Sequence, residues 1–332
     1  MSAIARYQLS PIHHISRVIK GGWHLAGGHG RIDREQALED MRLYVQAGIT
    51  TFDCADIYTG VEALIGEFLR RHRDDFSRGT LPQVQVHTKF VPDLGLLPTM
   101  TKRDVASTID RSLRRLAVER LDLVQLHWWD YDIPRYVEAA VYLKELQDAG
   151  KIKHIGVTNF DVPHLGEILD AGVPVVANQV QYSVLDHRPE QGMAELCGRY
   201  GISLLCYGTV AGGFLSDRYL GAPKPQPPLE NRSLTKYALI IDEFGGWKLF
   251  QELLDALHKI AGKHHVSSAA VATRYVLQKE RVGAAIVGVR HARHLPDTLR
   301  LFDFTLDRED LTAIRQVVDR AEGPAGDVYS LE

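Results

Sequence analysis

The chain has 332 residues, a sequence pI near 6.6 and a formal net charge of −3, from 39 Lys and Arg against 42 Asp and Glu. That length suits two ordinary domains or one large barrel-type core. The lack of a basic excess removes the usual electrostatic signature of nucleic-acid or anionic-membrane binding. Three cysteines (Cys54, Cys197, Cys206) form no metal-ligand spacing, and their odd number argues against a complete disulfide framework. No apolar run approaches the roughly 20 residues of a membrane helix. The start, MSAIARYQLSPIHHISRVIKGGW, has no charged segment followed by an apolar one, so no signal peptide is expected. A soluble, cytoplasmic protein is the expectation.

In chain order, the strand candidates are SRVIKGG, ITTFD, VQVHTKF, LDLVQLHW, KHIGVTNF, VPVVANQV, SLLCYGT and GAAIVGV. Between them run segments of helical period, such as DREQALEDMRLYVQAG, RDVASTIDRSLRRLAV, YVEAAVYLKELQDAG and PEQGMAELCGRYG. Several of these stop at a glycine just before the next strand (Gly48, Gly150, Gly172, Gly201), as helix C-termini do. Eight strands alternating with helices predict parallel strands joined by crossovers, and the count suits a (β/α)8 TIM barrel, an α/β fold, spanning 1–332 as a single domain. No Ser/Pro-rich linker divides the chain. GAPKPQPPLENRS, residues 221–233, reads as a long loop between the seventh strand and its helix, and 323–332 as a short C-terminal tail.

The strands share a second pattern, in which each apolar run finishes in a polar residue: Asp53, Lys89, His127, Asn159, Gln179, Tyr207. Alternation places Leu121, Leu123, Gln125 and His127 on one face, and Gln85, His87 and Lys89 on one face of the strand before it. In barrels of this type the C-terminal strand ends form the mouth where chemistry occurs, so these residues point at one pocket. Tyr58 lies five residues beyond Asp53. A phenol has an ordinary pKa of about 10 and is a poor acid near neutrality. A neighbouring ammonium is expected to lower it, and an aspartate would hold that lysine and offset its burial. His127 would orient a substrate oxygen. Together they suit an oxygen that becomes negative during reaction, as when a carbonyl carbon receives hydride.

FDCADIY, VHTK, LVQLHWW, IGVTNF and NQVQYS, in this order, resemble the aldo-keto reductase superfamily over about residues 21–310. The likeness is to its general plant and bacterial members more than to the steroid or aldose reductase branch. The resemblance implies a barrel enzyme that reduces aldehydes and ketones, or runs the reverse reaction, with a nicotinamide cofactor. It assigns catalysis to Asp53, Tyr58, Lys89 and His127. It also implies that Thr158, Asn159 and Gln179 bond the carboxamide and that Tyr207 stacks on the nicotinamide ring. The pyrophosphate would meet the small-residue loop YGTVAGGFLS, through Gly208, Thr209, Val210, Ala211, Gly212 and Leu215.

In IVGVRHARHLPDT, Arg290 would pair with an adenosine 2′-phosphate, with His294, Asp297 and Gly288 nearby. Gly288 stands where many members have Lys, and Thr298 where most have Asn. The cofactor expected is therefore NADPH/NADP+, with NADH as the alternative. Trp23, Trp128 and Trp129 either line an aromatic substrate pocket for a small-molecule carbonyl or pack the barrel rim. The 221–230 loop and the tail are candidate covers for the site. Cys54 reads as a small core residue.

Two other classes bear comparison with the sequence. Fifteen histidines suggest a metal-dependent hydrolase, but His13–His14 and His264–His265 fall in hairpin and loop segments, and neither an H-x-H at the first strand nor H-E-x-x-H occurs, so no metal is expected. A cofactor-binding regulatory or scaffold protein with slow turnover, like the potassium-channel β subunits that share the barrel, is the alternative.

Overall fold

A computed structural model describes residues 4–27, 30, 32–288 and 291–327. An antiparallel hairpin, β1 (Arg6–Ser10) and β2 (His13–Ser16), precedes β3 (Val18–Gly21), α1 (Arg34–Gln46), β4 (Thr51–Asp53), α2 (Val61–Arg71) and α3 (Arg73–Arg78). Next come β5 (Gln85–Phe90), α4 (Lys102–Leu116), β6 (Leu121–His127), α5 (Tyr136–Asp148), β7 (Ile152–Thr158), α6 (Val162–Asp170), β8 (Val175–Gln181), α7 (Met193–Tyr200) and β9 (Ser203–Tyr207). The chain then forms α8 (Arg232–Phe244), α9 (Gly246–His264), α10 (Ser268–Leu277), β10 (Val282–Val287), α11 (Leu295–Leu299) and α12 (Arg308–Val318). Strands β3 to β10 close into a parallel barrel in which each pairs with its sequence neighbours and β10 returns to β3. The expected (β/α)8 fold is the one observed, with every strand candidate in the barrel.

Local chemistry accounts for the element ends. Asp33 accepts from the Gln36 N–H to start α1, and Thr101 with Asp104 forms a reciprocal capping box on α4. Gly150 and Gly201 take left-handed φ values of 80° and 69°, where a side chain would be strained. Two regions exceed the sequence expectation. The crossover between β9 and β10 holds three helices, and the loop from 221 is tied down: Gly221 N–H donates to Gln251 Oε1 at 2.7 Å, and Trp247 Nε1 to the Ala222 carbonyl at 3.0 Å. The opening hairpin plugs the barrel's N-terminal end. Leu9 and Ile15 join Ile19, Leu123, Ala177, Leu205 and Ala284 in an apolar layer inside the barrel, and the Tyr7 hydroxyl meets Ser203 Oγ at 3.1 Å.

At that closed end three buried imidazoles gather. His13 Nε2 lies 3.1 Å from His87 Nε2, the His13 ring is 5.1 Å from that of His154, and His154 Nε2 is 3.2 Å from Ser10 Oγ. Burial, then His154, Lys153, Arg6 and His14, pushes His13 down to about 3. Burial, Lys153 and Arg120 push His154 down to about 4. Burial, then His13, Lys89 and His154, holds His87 well below the ordinary range.

These groups are neutral when folded but take up protons near pH 6.5 once unfolded. Their contribution to stability is complete above about pH 6.5 and is lost as the pH falls from there. The urea midpoint of the wild type should drop between pH 6.5 and 4 more steeply than that of His13→Gln. Identical slopes would show that the cluster does not titrate on unfolding.

Candidate active site

The C-terminal ends of β4, β5, β6, β7 and β8 form the inside of the barrel mouth, and register sets which residues meet. Asp53 pairs with His87, Lys89 with Gln125, His127 with Thr158 and Thr158 with Gln179. The Lys89 ammonium donates to Asp53 Oδ2 at 2.6 Å and to the Cys54 carbonyl at 3.0 Å, and both charged side chains are buried. The other Asp53 oxygen accepts from Gln179 Nε2 at 2.7 Å and Gln125 Nε2 at 3.1 Å, while Gln179 Nε2 also donates to Gln125 Oε1 at 3.1 Å. Gln179 thus bears on Asp53, a role that the carboxamide assignment does not include. Gln125 was missed as a site residue, although alternation along β6 puts it on the inward face below His127.

Tyr58 stands over this pair from the loop after β4. Lys89 Nζ lies 5.2 Å from the centroid of its ring. Burial pulls the ammonium's pKa down, but Asp53 and Tyr58 outweigh it and leave lysine above its ordinary value. The phenol behaves differently from the sequence expectation. Burial raises it more than Lys89 lowers it, with Asp53 and Cys54 adding to the rise, so its net shift is upward. The lysine acts in the expected direction, and desolvation outweighs it.

Around the tetrad, the buried His127 ring packs edge-on to Trp129 at 4.4 Å, and Trp129 donates to the Pro92 carbonyl at 2.8 Å. Trp23 meets Tyr58 at 5.1 Å between ring centroids. Trp23 and Trp129 are 39% and 43% exposed, so both reach the mouth. Trp128 does not. It is 2% exposed, packs against Tyr136 and donates to the carbonyls of Asp130 and Ile133.

Asn159 adopts a left-handed φ of 58°. Its N–H donates to the Gln179 carbonyl at 2.8 Å, and its side-chain oxygen accepts from the Tyr207 hydroxyl at 3.1 Å. Thr158 Oγ1 is buried with no hydrogen-bond partner among the described residues. A buried orphan of this kind marks a place where a ligand atom would be satisfied.

The loop after β9 is well packed. Thr209, Ala211 and Leu215 are buried, Ala211 takes a φ of 48°, and a Cβ on Gly208 or Gly212 would meet Tyr237 of α8 at 2.4 or 2.8 Å. The N–H groups of Ala211 and Leu215 already donate to the carbonyls of Gly208 and Val210. Lys236 Nζ sits 5.3 Å from the Tyr207 ring centroid.

Beyond β10, a side chain at Gly288 would strike the His24 ring at 2.5 Å, which leaves no room there for a lysine without a shift. His294 is exposed, Asp297 accepts from Ser267 Oγ at 2.7 Å, and Arg290 lies outside the described residues. The tail is held at Asp327, whose carbonyl accepts from Arg188 Nη1 at 2.7 Å.

Removing one member of a buried ion pair strands the other, at a cost of about 3–5 kcal/mol. Asp53→Asn should lower the urea-unfolding free energy by about that amount, and adding Lys89→Met should recover part of it. A single variant as stable as the wild type would mean that Lys89 is charged without help from Asp53.

The model of the Aldo/keto reductase family matches residues 17–319. The chain is 31% identical over 258 residues to flagellar radial spoke protein 5 of Chlamydomonas reinhardtii, covering 67% of this chain but only about half (48%) of that protein. It is 27% identical over 314 residues to the aldo-keto reductase YhdN of Bacillus subtilis (strain 168), covering 92% and 90% of the two chains. Among solved structures, a glycerol dehydrogenase from Gluconobacter oxydans superposes with a TM-score of 0.79 at 23% identity over 98% of each chain, a likeness of fold. An aldo/keto reductase from Klebsiella pneumoniae, solved in complex with NADP and acetate, superposes with a TM-score of 0.68 at 20% identity over 95% and 94% of the two chains. Because the family match runs through all eight barrel strands, this chain belongs to the aldo/keto reductase family of oxidoreductases that interconvert carbonyls and alcohols.

Proposed function

We propose that the protein is an NADP(H)-dependent carbonyl reductase in which Tyr58 donates the proton. The observation that carries this reading is the buried run in which Asp53 holds the Lys89 ammonium at 2.6 Å and that ammonium lies 5.2 Å from the Tyr58 ring centroid. A nicotinamide fits the mouth: Thr158 Oγ1 is an unsatisfied buried donor and acceptor beside Asn159, and the Tyr207 ring offers a flat face. The cofactor, when bound, supplies hydride. Thr158 and Asn159 would hold its carboxamide. Thr209, Val210 and Gly212 would offer backbone N–H groups to its pyrophosphate, since those of Ala211 and Leu215 are already used.

The protein's own part is acid catalysis. As negative charge develops on the carbonyl oxygen, the Tyr58 hydroxyl transfers its proton there, and the Lys89 ammonium stabilises the phenolate left behind. A phenol holds its proton at neutral pH even at its ordinary pKa of about 10, and the net shift here is upward from it. His127 would orient the carbonyl, and Trp23 and Trp129 would give an aromatic wall suited to hydrophobic or ring-bearing substrates. Binding of the 2′-phosphate by Arg290, and with it preference for NADPH over NADH, is part of the same proposal.

A second reading, a cofactor-binding scaffold with slow turnover, is favoured by the likeness to a radial spoke protein. One assay separates the two. NADPH oxidation with a panel of aldehydes and ketones should proceed, and Tyr58→Phe should reduce kcat by about 10²–10⁴-fold while NADPH affinity, read by protein fluorescence, is retained. Tight NADPH binding with negligible turnover would favour the scaffold. An unchanged rate in Tyr58→Phe would place the acid elsewhere.

A further inference from the structure

Asp56 stands in sequence between Asp53 and Tyr58, and its side chain hydrogen-bonds neither of them. Its backbone N–H donates to the Lys89 carbonyl at 3.3 Å, and its Oδ1 accepts from the Val91 N–H at 3.2 Å. One residue of the tyrosine-bearing loop therefore brackets the end of the lysine-bearing strand, continuing the ladder past the point where β4 stops. Its carbonyl accepts from Arg115 Nη1 of α4 at 2.9 Å. The same Arg115 nitrogen pairs with Glu62 Oε2 of α2 at 3.2 Å, and Glu62 Oε1 accepts from Thr88 Oγ1 of β5 at 2.8 Å. Within the loop, the Tyr58 N–H donates to the Ala55 carbonyl and the Val61 N–H to the Tyr58 carbonyl, so the turn carrying the phenol folds directly on this anchor.

We propose that Asp56 is a positioning residue that sets the Tyr58 hydroxyl against the Lys89 ammonium. The inference rests on Tyr58 being the proton donor. What Asp56 contributes is an oxygen in the right place more than a charge. Its carboxyl is pushed up to about 7, by burial first and Glu62 second, against the Val91 N–H and Arg111. The Arg111 guanidinium stands 3.8 Å from Oδ2 on a largely exposed side chain, a contact that contributes little. Asparagine keeps the Oδ1 acceptor and discards the charge. Glutamate keeps the charge and moves the oxygen by one methylene. Alanine removes both.

Displacing a catalytic group by about 1 Å costs on the order of 10²-fold in rate. Asp56→Ala and Asp56→Glu should therefore lower kcat by about 10–100-fold, with the dissociation constant of NADPH within about two-fold of wild type. Asp56→Asn should stay within about three-fold in kcat. As Lys89 lowers the phenol's pKa, a Tyr58 held farther away gives up its proton later. The alkaline limb of kcat in Asp56→Ala and Asp56→Glu should then move to higher pH, whereas a loss of folded protein would scale the whole profile without moving it. The inference is overturned if Asp56→Ala keeps its rate, if asparagine and glutamate fall equally, or if the limb stays in place. Should the alanine variant fail to fold, the glutamate and asparagine variants decide alone. If Tyr58→Phe is also active, the proton-donor reading fails and takes the inference with it. If Tyr58→Phe is silent while Asp56→Ala is not, only the positioning role fails.

Discussion

The buried pair of Asp53 and Lys89 is the constraint from which the rest of the mouth follows. A lone ammonium at that depth would lose its proton or draw in water. The carboxylate keeps it charged, and two glutamine amides on the far oxygen prevent the carboxylate from swinging away. Four strands are thereby joined through side chains at the height where the parallel ladder ends, and the phenol is the one polar member of the group on a loop. Such a pair adds little net stability over an apolar core of equal volume, so its value lies in holding a charge where water is absent.

The tyrosine shows how two opposing effects settle. Enclosure alone would make the phenol a worse acid, and the cation alone a better one. With both present, enclosure wins and the phenol's pKa stands above its ordinary value. The three histidines at the closed end show burial acting on a base instead. Burial first, and neighbouring cationic side chains second, keep those imidazoles neutral inside a packed base, the innermost of them, His87, lying two residues before Lys89 on β5.

Much of this was legible from the residues. Inward-facing positions follow from period two, so Asp53, Lys89 and His127 could be assigned to one chamber from their places at strand ends. The same rule, applied one step further, separates Trp128 from Trp129. The latter shares the inward direction of His127, and its neighbour turns toward α5 and Tyr136. Gln125 was visible on the right face but had no motif to single it out. Less accessible were properties set by three-dimensional packing: the net shift of Tyr58, the crowding of Gly288 by His24, and the N–H groups in the 208–215 loop already used by the loop itself. The three-helix crossover before β10 was hidden because Gly245 and Gly246 break its helical period, and the reading stopped at the proline-rich segment in front of it.

The opening hairpin fills the far end of the cylinder with Leu9, Ile15 and His13, the last meeting His87 and His154 of the barrel strands. A vessel stoppered at its base is closed to traffic from that side. Among the described residues, the approach to the lysine therefore lies at the opposite rim, where Trp23 and Trp129 are exposed.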